Sequence, residues 1–333
     1  MSYKVHATDL EIVDALQASP RATWASVGKA LGLSEVTVAR RWNRLHTLGL
    51  AWTSIALHPS QSYGVVVEIR CELDRLEHLL NQLNQHPQIF TVGQTTGEYN
   101  LFCIIGSTNV NGVIHTIHER LPDLTKTSQV KFSIFWQITG GVDWRQGILP
   151  AGDESHLRVH SEGHTTRRFP PLSKKDRRLF LALARDARKP LADLAAELSL
   201  STEIVRRRLF QLQASNEITY RCDVARPSFD LPLGLFVLVR TPSLDSERIA
   251  RDLGAWKETR FCAAVVSSTN IVWIAGLHDL PDVGTMIDRL TTTFPEIEVA
   301  DQRVITRMTK IYGRLLDTTG KSRGCVPFDP WED

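Results

Sequence analysis

The sequence predicts an α+β protein in which two three-helix, winged helix-turn-helix domains alternate with two ferredoxin-like βαββαβ domains. Three observations lead there. A helical pattern ending in LSEVTVARRWNRL (33–45) recurs as LSTEIVRRRLFQL (200–212). After each copy the apolar period changes to strands and amphipathic helices in the order β-α-β-β-α-β. The copies also stay in register at an offset of 167, from Asp9 to Leu45 and from Asp176 to Leu212.

The first copy opens with Leu10, Val13, Leu16 and Gln17 outlining a helix that Asp9 can cap. Thr23 caps a second helix carrying Trp24, Val27 and Leu31, and Gly32 breaks it. Ser34 caps a third, with Val38, Trp42 and Leu45 at i, i+4, i+7. In the second copy Asp176 opens helix one and Pro190 suits the first turn of helix two. Ser201 caps a third helix whose inward stripe is Val205, Leu209 and Leu212.

A tight turn bearing Gly or Ser before the last of three helices is the outline of a helix-turn-helix. With the stripes inward, Ser34, Glu35, Thr37, Arg40, Arg41 and Arg44 are left to meet double-stranded DNA. In the second copy Ser201, Thr202, Glu203, Arg206, Arg207, Arg208 and Gln211 are left out. Guanidinium groups suit phosphates and the guanine edge, and Thr and Gln add base-edge contacts. One arginine-bearing face is commonly just solvated surface; a correctly spaced triple-helix pattern that recurs argues for reading.

Strands follow at GVVVEIR (64–70), IFTVGQTT (89–96), YNLFCIIG (99–106) and KFSIFWQI (131–138), with helices around Leu76–Leu83 and Val113–Leu121. The second copy answers with GLFVLVR (234–240), RFCAAVVS (260–267), NIVWIAG (270–276) and EVADQRVITRM (298–308), with helices around Ile249 and Met286. Apolar residues on both faces imply that each sheet's open face packs on another sheet. The expected domains are 1–52 and 172–222 (helix-turn-helix) and 60–139 and 230–313 (ferredoxin-like). Residues 140–171, rich in Gly, His, Ser and Pro, form a linker, and 314–333 a tail lying over the second ferredoxin-like domain or loose.

A net charge of +2 over 333 residues rules out a uniformly basic nucleic-acid wrapper, so DNA contact must come from local clusters. The apolar runs have strand length, and the N-terminus carries acids with no apolar h-region, so no membrane partner is expected. Five scattered cysteines without a CxxC pair argue against a disulfide framework or a cysteine zinc site. His115, His118 and Glu119, and the spaced His156, His160 and His164, read as surface histidines, so no metal and no cofactor is expected. The plain expectation is a cytoplasmic protein.

The helix-turn-helix LSEVTVARRWNRLHTLGL, followed by a βαββαβ domain with TTGEYNLFCIIG at its central hairpin, resembles the Lrp/AsnC (feast/famine) regulators, here as two fused copies. The resemblance implies DNA binding by the first part of each copy, association by the second into a homodimer or larger homo-oligomer, and control by a small effector, an amino acid or pathway metabolite. Thr95, Thr96, Gly97, Tyr99 and Asn100 are the effector candidates it implies. Asn100 stands where the family usually has Asp, and the second copy has Ser267, Ser268, Thr269 and Asn270. Siroheme decarboxylases resemble the same family and also pair two modules, but their hairpin carries a histidine where Gly97 stands. On that ground the chain is expected not to be an enzyme, with a fused siroheme decarboxylase-like tetrapyrrole enzyme as the alternative.

Overall fold

The structure is a computed structural model that describes residues 3–120, 129–149 and 169–331. In chain order the first copy contains α1 (Ala7–Ala18), α2 (Trp24–Leu31), α3 (Glu35–Thr47), β1 (Ala51–Leu57), β2 (Tyr63–Arg70), α4 (Leu76–Gln85), β3 (Ile89–Thr95), β4 (Leu101–Ser107), α5 (Val110–His115) and β5 (Gln129–Gly140). The second contains α6 (Arg177–Arg185), α7 (Leu191–Leu198), α8 (Thr202–Ala214), β6 (Ile218–Val224), β7 (Leu233–Arg240), α9 (Ser246–Gly254), β8 (Thr259–Val266), β9 (Ile271–Leu277), α10 (Asp282–Thr293) and β10 (Glu298–Ile311). Two short strands end it, β11 (Arg314–Leu316) and β12 (Ser322–Cys325). The α+β class expected from the sequence is the class observed.

The compact units cut across the two copies. Met1–Ser60 with Arg145–Ala225 holds both helix-turn-helix domains, and Gln61–Trp144 with Arg226–Asp333 holds both βαββαβ domains.

In the first unit each three-helix set is closed by hydroxyl caps. Thr23 Oγ1 accepts from Ser26 N at 3.1 Å, Ser34 Oγ from Thr37 N at 3.2 Å, and Ser201 Oγ from Ile204 N at 3.3 Å. α1 starts earlier than Asp9 suggests. His6 is its cap, and Asp9 sits three residues on, where its carboxylate accepts from His6 N at 3.0 Å. The two sets are joined by β1 and β6, antiparallel from Ala51 opposite Val224 to Leu57 opposite Ile218. Ser54 faces Arg221, its own counterpart at the 167 offset, so a local two-fold axis passes between them. The start of the expected linker is anchored here: Gly147, Ile148 and Leu149 donate their backbone N–H groups to the buried Asp14 carboxylate at 2.8, 2.9 and 2.8 Å.

In the second unit β3, β4, β2, β5, β8, β9, β7 and β10 pair in that order, and β10 pairs back onto β3, closing a ring. The closure works because each last strand serves both sheets. β5 runs along β2 from Gln129 to Phe135 and then along β8 to Gly140. β10 runs along β7 from Glu298 to Ile305 and then along β3 to Ile311. Alternation sorts the side chains: Val65, Val67 and Ile69 face α4 and α5, as Leu235, Val237 and Val239 face α9 and α10. Val66 and Glu68, with Phe236 and Leu238, therefore face the other way, sheet against sheet, as the apolar patterning predicts. Phe102 and Phe236 meet there at 5.2 Å between ring centroids.

The tail lies over the first ferredoxin-like domain, not the second. β10 has already crossed to β3, so the residues after it land there. Gly313 N donates to Phe90 O at 3.0 Å, Asp329 N to Pro87 O at 3.1 Å, and Phe90 stacks on Tyr312 at 5.0 Å.

Candidate nucleic-acid interface

α3 and α8 bury Val38, Trp42 and Leu45, and Val205, Leu209 and Leu212, as the stripes require. Opposite those stripes, Arg40 and Arg207 occupy matching positions, are exposed, and make no ion pair or hydrogen bond among the described residues. They are the two guanidinium groups most plainly offered to a partner.

Arg41 and Arg208 are not offered. Arg41 pairs with the fully buried Asp9 at 3.0 Å, and Arg208 grips Asp176 with two nitrogens at 2.7 Å. Arg208 also donates to the carbonyls of Pro170 and Pro171 at 2.9 Å each. Burial works against ionisation of Asp176, but the bonds from Arg208 and Ser173 outweigh it and hold the carboxyl below its ordinary value. These arginines seat the reading helix on the first helix of its own set, which corrects the expectation that they face outward. Asp9 and Asp176 recur at the same offset as their arginines, the one signal in the sequence that marks the pairs.

The other expected contacts are mixed. Arg44 lies over the Tyr3 ring at 4.5 Å, and Arg206 is held by Glu203 one turn back. Thr37 is half-buried, its hydroxyl 2.9 Å from Ser34 Oγ, and Gln211 is half-buried too. Glu35, Thr202, Ser34 and Ser201 are exposed at the helix starts. Three further residues on these faces are exposed without being among those the sequence patterns single out: Val36, Asn43 and Phe210. Extending the Arg40 stripe by i−4 and i+3 finds the first two, and Phe210 is the counterpart of Asn43.

Reciprocal arginines fix the two sets together. Arg21 donates to the carbonyl of Ala187, and its counterpart Arg188 donates to Pro20 O, the counterpart of Ala187, at 2.7 Å. Arg188 also lies 3.7 Å over the Trp24 ring, and burial pushes it down to about 10. α3 and α8 thus belong to two sets related by a local two-fold.

At the effector candidates the polar groups are spent on the fold. Asn100 clamps the backbone of Cys71, accepting from its N at 3.0 Å and donating to its O at 2.9 Å. Asn270 clamps Thr241 in the same way at 2.9 and 2.6 Å. Thr95 Oγ1 donates to Tyr99 O at 2.6 Å, and Thr96 exchanges bonds with Val304 at 2.9 and 3.0 Å. Gly97 turns the chain at φ 87°. The Tyr99 ring carries Lys131 at 4.1 Å. Asn100, expected as an effector ligand, is a backbone clamp instead. Nearby, Glu68 and Arg303 form an ion pair buried between the sheets; burial pushes the Glu68 carboxyl up, and Arg303 draws it back.

Of the histidine groups, His156, His160 and His164 lie outside the described residues. Among the described residues no group of three or more His, Cys, Asp or Glu side chains is placed to hold a metal, and no helix is long and apolar enough to cross a membrane.

Comparison with known proteins agrees with the duplicated geometry. The AsnC-type helix-turn-helix domain family matches residues 7–46 and again 172–213. The HTH-type transcriptional regulator Ptr1 of Methanocaldococcus jannaschii is 26% identical over 130 residues, 38% of this chain and 88% of that one. The crystal structure of the siroheme decarboxylase NirDL superposes with a TM-score of 0.56 at 11% identity, over 91% of this chain and 92% of that one. Its complex with an iron-uroporphyrin III analogue superposes equally well, over 90% of this chain. The expectation that the chain is not an enzyme is corrected by that match: an enzyme has the same two-module fold from end to end, so this architecture does not set enzyme and regulator apart. The chain thus carries one AsnC-type helix-turn-helix domain at the head of each of its two βαββαβ domains.

Proposed function

We propose that the chain is a sequence-specific DNA-binding transcriptional regulator, working in the cytoplasm, whose two reading heads address one asymmetric duplex site. The observation that carries this is the placement of Arg40 and Arg207 at matching, exposed positions of two recognition helices related by a local two-fold. Their surroundings differ, Val36 and Asn43 against Glu203 and Phe210, so the half-sites differ as well. A small effector, an amino acid or pathway metabolite, is read at the hairpin beside Tyr99 and Lys131, and further association of the chain into homodimers or larger assemblies belongs to the same reading.

The test is duplex binding across a salt series. Arg40→Ala and Arg207→Ala should each weaken binding about 10-fold and flatten the slope of log K against log salt by about 0.9, one phosphate contact each. Slopes unchanged in both variants would remove the proposed contacts.

A second reading, an enzyme acting on an iron tetrapyrrole, is favoured by the end-to-end likeness to NirDL. Adding iron-uroporphyrin III to the purified chain separates the two. A shifted tetrapyrrole absorption band with tight binding favours the enzyme, and an unperturbed spectrum removes it.

A further inference from the structure

We propose that the second helix-turn-helix domain holds a binding site for a small aromatic carboxylate, in the groove between α6, α7 and the recognition helix α8. The groove has a volume of about 300 Å³. Its floor is apolar, built from Leu179, Leu198 and Val205, with Leu200 and Ile204 at the mouth. Among the described residues Lys175, Arg178, Arg207 and Arg208 stand around it against one carboxylate, Asp176, which Arg208 already pairs with at 2.7 Å. An apolar floor under surplus positive charge selects a flat apolar body that carries an anion.

The other half of the chain indicates the shape of the occupant. Asp176 and Gln211 correspond to Asp9 and Arg44, and there an aromatic ring lies against both. Tyr3 Oη donates to Asp9 at 2.7 Å, and Arg44 lies over its ring at 4.5 Å. The residue corresponding to Tyr3 is Pro170, whose carbonyl is taken by Arg208 at 2.9 Å. The neighbouring Phe169 packs on Phe210 instead, so among the described residues no ring stands against Asp176 and Gln211. The rims differ in the same sense: Lys175 and Arg178 replace Thr8 and Glu11. One half carries a tethered phenol, and the other is built for a free ring with a negative charge.

Arg207 and Gln211 line this groove and also belong to the face assigned to DNA, so an occupant competes with the duplex for the second head. The competition rests on the DNA-binding reading; the ligand site does not.

Phenylacetate titrated into the full chain without DNA, followed by calorimetry and ligand-observed NMR, should reveal one site per chain. Phenylacetamide, equal in size and uncharged, should bind at least about 10-fold more weakly, the loss of one charge-assisted contact. Lys175→Thr with Arg178→Glu, exposed positions remade as in the first domain, should weaken phenylacetate by a similar factor with the chain still folded by circular dichroism, although Arg178 gives up its bond to Glu197 O. Lys175→Thr alone should weaken it in part and leave the melting midpoint unchanged. Ile204→Trp, which fills the mouth, should weaken it as the double variant does. No binding, two equal sites, equal binding of the amide, or indifference to all three variants each overturns the site. In a duplex competition, phenylacetate bound without displacing DNA overturns the competition, whereas a chain that binds the acid and no DNA overturns the reading head alone.

Discussion

At matching positions of the two halves, Asp9 and Asp176 hold Arg41 and Arg208, and Asn100 and Asn270 hold the backbones of Cys71 and Thr241. Where the halves meet each other, the correspondence survives in the reciprocal Arg21 and Arg188 contacts but breaks at other positions. Glu68 has Leu238 as its counterpart at an offset of 170, and Arg303 has Ser133. On the axis of the first unit Ser54 faces Arg221, itself paired with Asp223 at 2.8 Å. The contrast arises from what each contact must satisfy. A clamp within one half is needed in every copy, because an unpaired buried backbone or carboxylate group destabilises whichever copy carries it. A contact across the axis of a fused pair is made once, so its two sides can diverge. In a self-pair of the second half Arg221 would face another Arg221, and Arg303 would face leucine. Fusion removes those self-pairs and lets one half carry the positive charge.

The sharpest way to break this comparison is at Glu68 and Arg303. Both side chains are at most 3% exposed, so Arg303→Ser, which copies Ser133, leaves a carboxylate stranded between the sheets. The expected loss in chemical denaturation is about 3–5 kcal/mol. Adding Glu68→Leu, which copies Leu238, should recover most of it, because two neutral groups then face each other. A double variant as unstable as the single one would show that packing, not charge pairing, separates the halves.

Lys310 is a second divergence and gives a pH-dependent test. Its counterpart is Gly140, and the amine, fully buried under the tail, donates to His86 O at 2.8 Å. Burial lowers it to about 7 from 10.5. Below pH 7 the amine is protonated folded or unfolded, and the whole penalty of burying the ion is present. Between pH 7 and 10.5 the unfolded chain binds more protons, so stability rises with pH and the penalty fades. Lys310→Met should therefore stabilise the chain at pH 6 by on the order of 3 kcal/mol, and by far less at pH 10.5. Equal gains at both values would mean the amine is not carried as a buried cation.

These contrasts also show what a sequence displays. The recognition helices, their serine caps and inward stripes are local features, and the hydroxyl of Ser34 or Ser201 needs only residues three positions on. The βαββαβ order was legible for the same reason. β1 and β6 were not: AWTSIAL and ITYRCDV mix polar with apolar residues, and Thr53 and Ser54 are buried only because a partner strand 167 residues away covers them. The switch of β5 and β10 between sheets, and with it the landing place of the tail, depends on the other half being present. Arg41 and Arg208 looked outward on a helical wheel because the acids that hold them lie 32 residues earlier.

The smallest effect is set by one backbone angle. The turn before the recognition helix is left-handed in both halves, with Gly32 at φ 66° and Ser199 at φ 58°. Only glycine adopts that region without a Cβ penalty, so the second turn carries strain of about 1 kcal/mol that the first lacks. A Cβ at residue 32 would have nothing within 4 Å, so a side chain there adds backbone strain and no clash. Ser199→Gly should therefore raise stability and Gly32→Ser lower it, each by somewhat under about 1 kcal/mol, since glycine also loosens the unfolded chain. The pair works as an exchange: because the turns correspond, placing both substitutions in one chain should return the melting midpoint to that of the parent. A net change in the double variant would locate a side-chain contact of Ser199 that the first half has no need of, and would make this turn a divergence in packing as well as in strain.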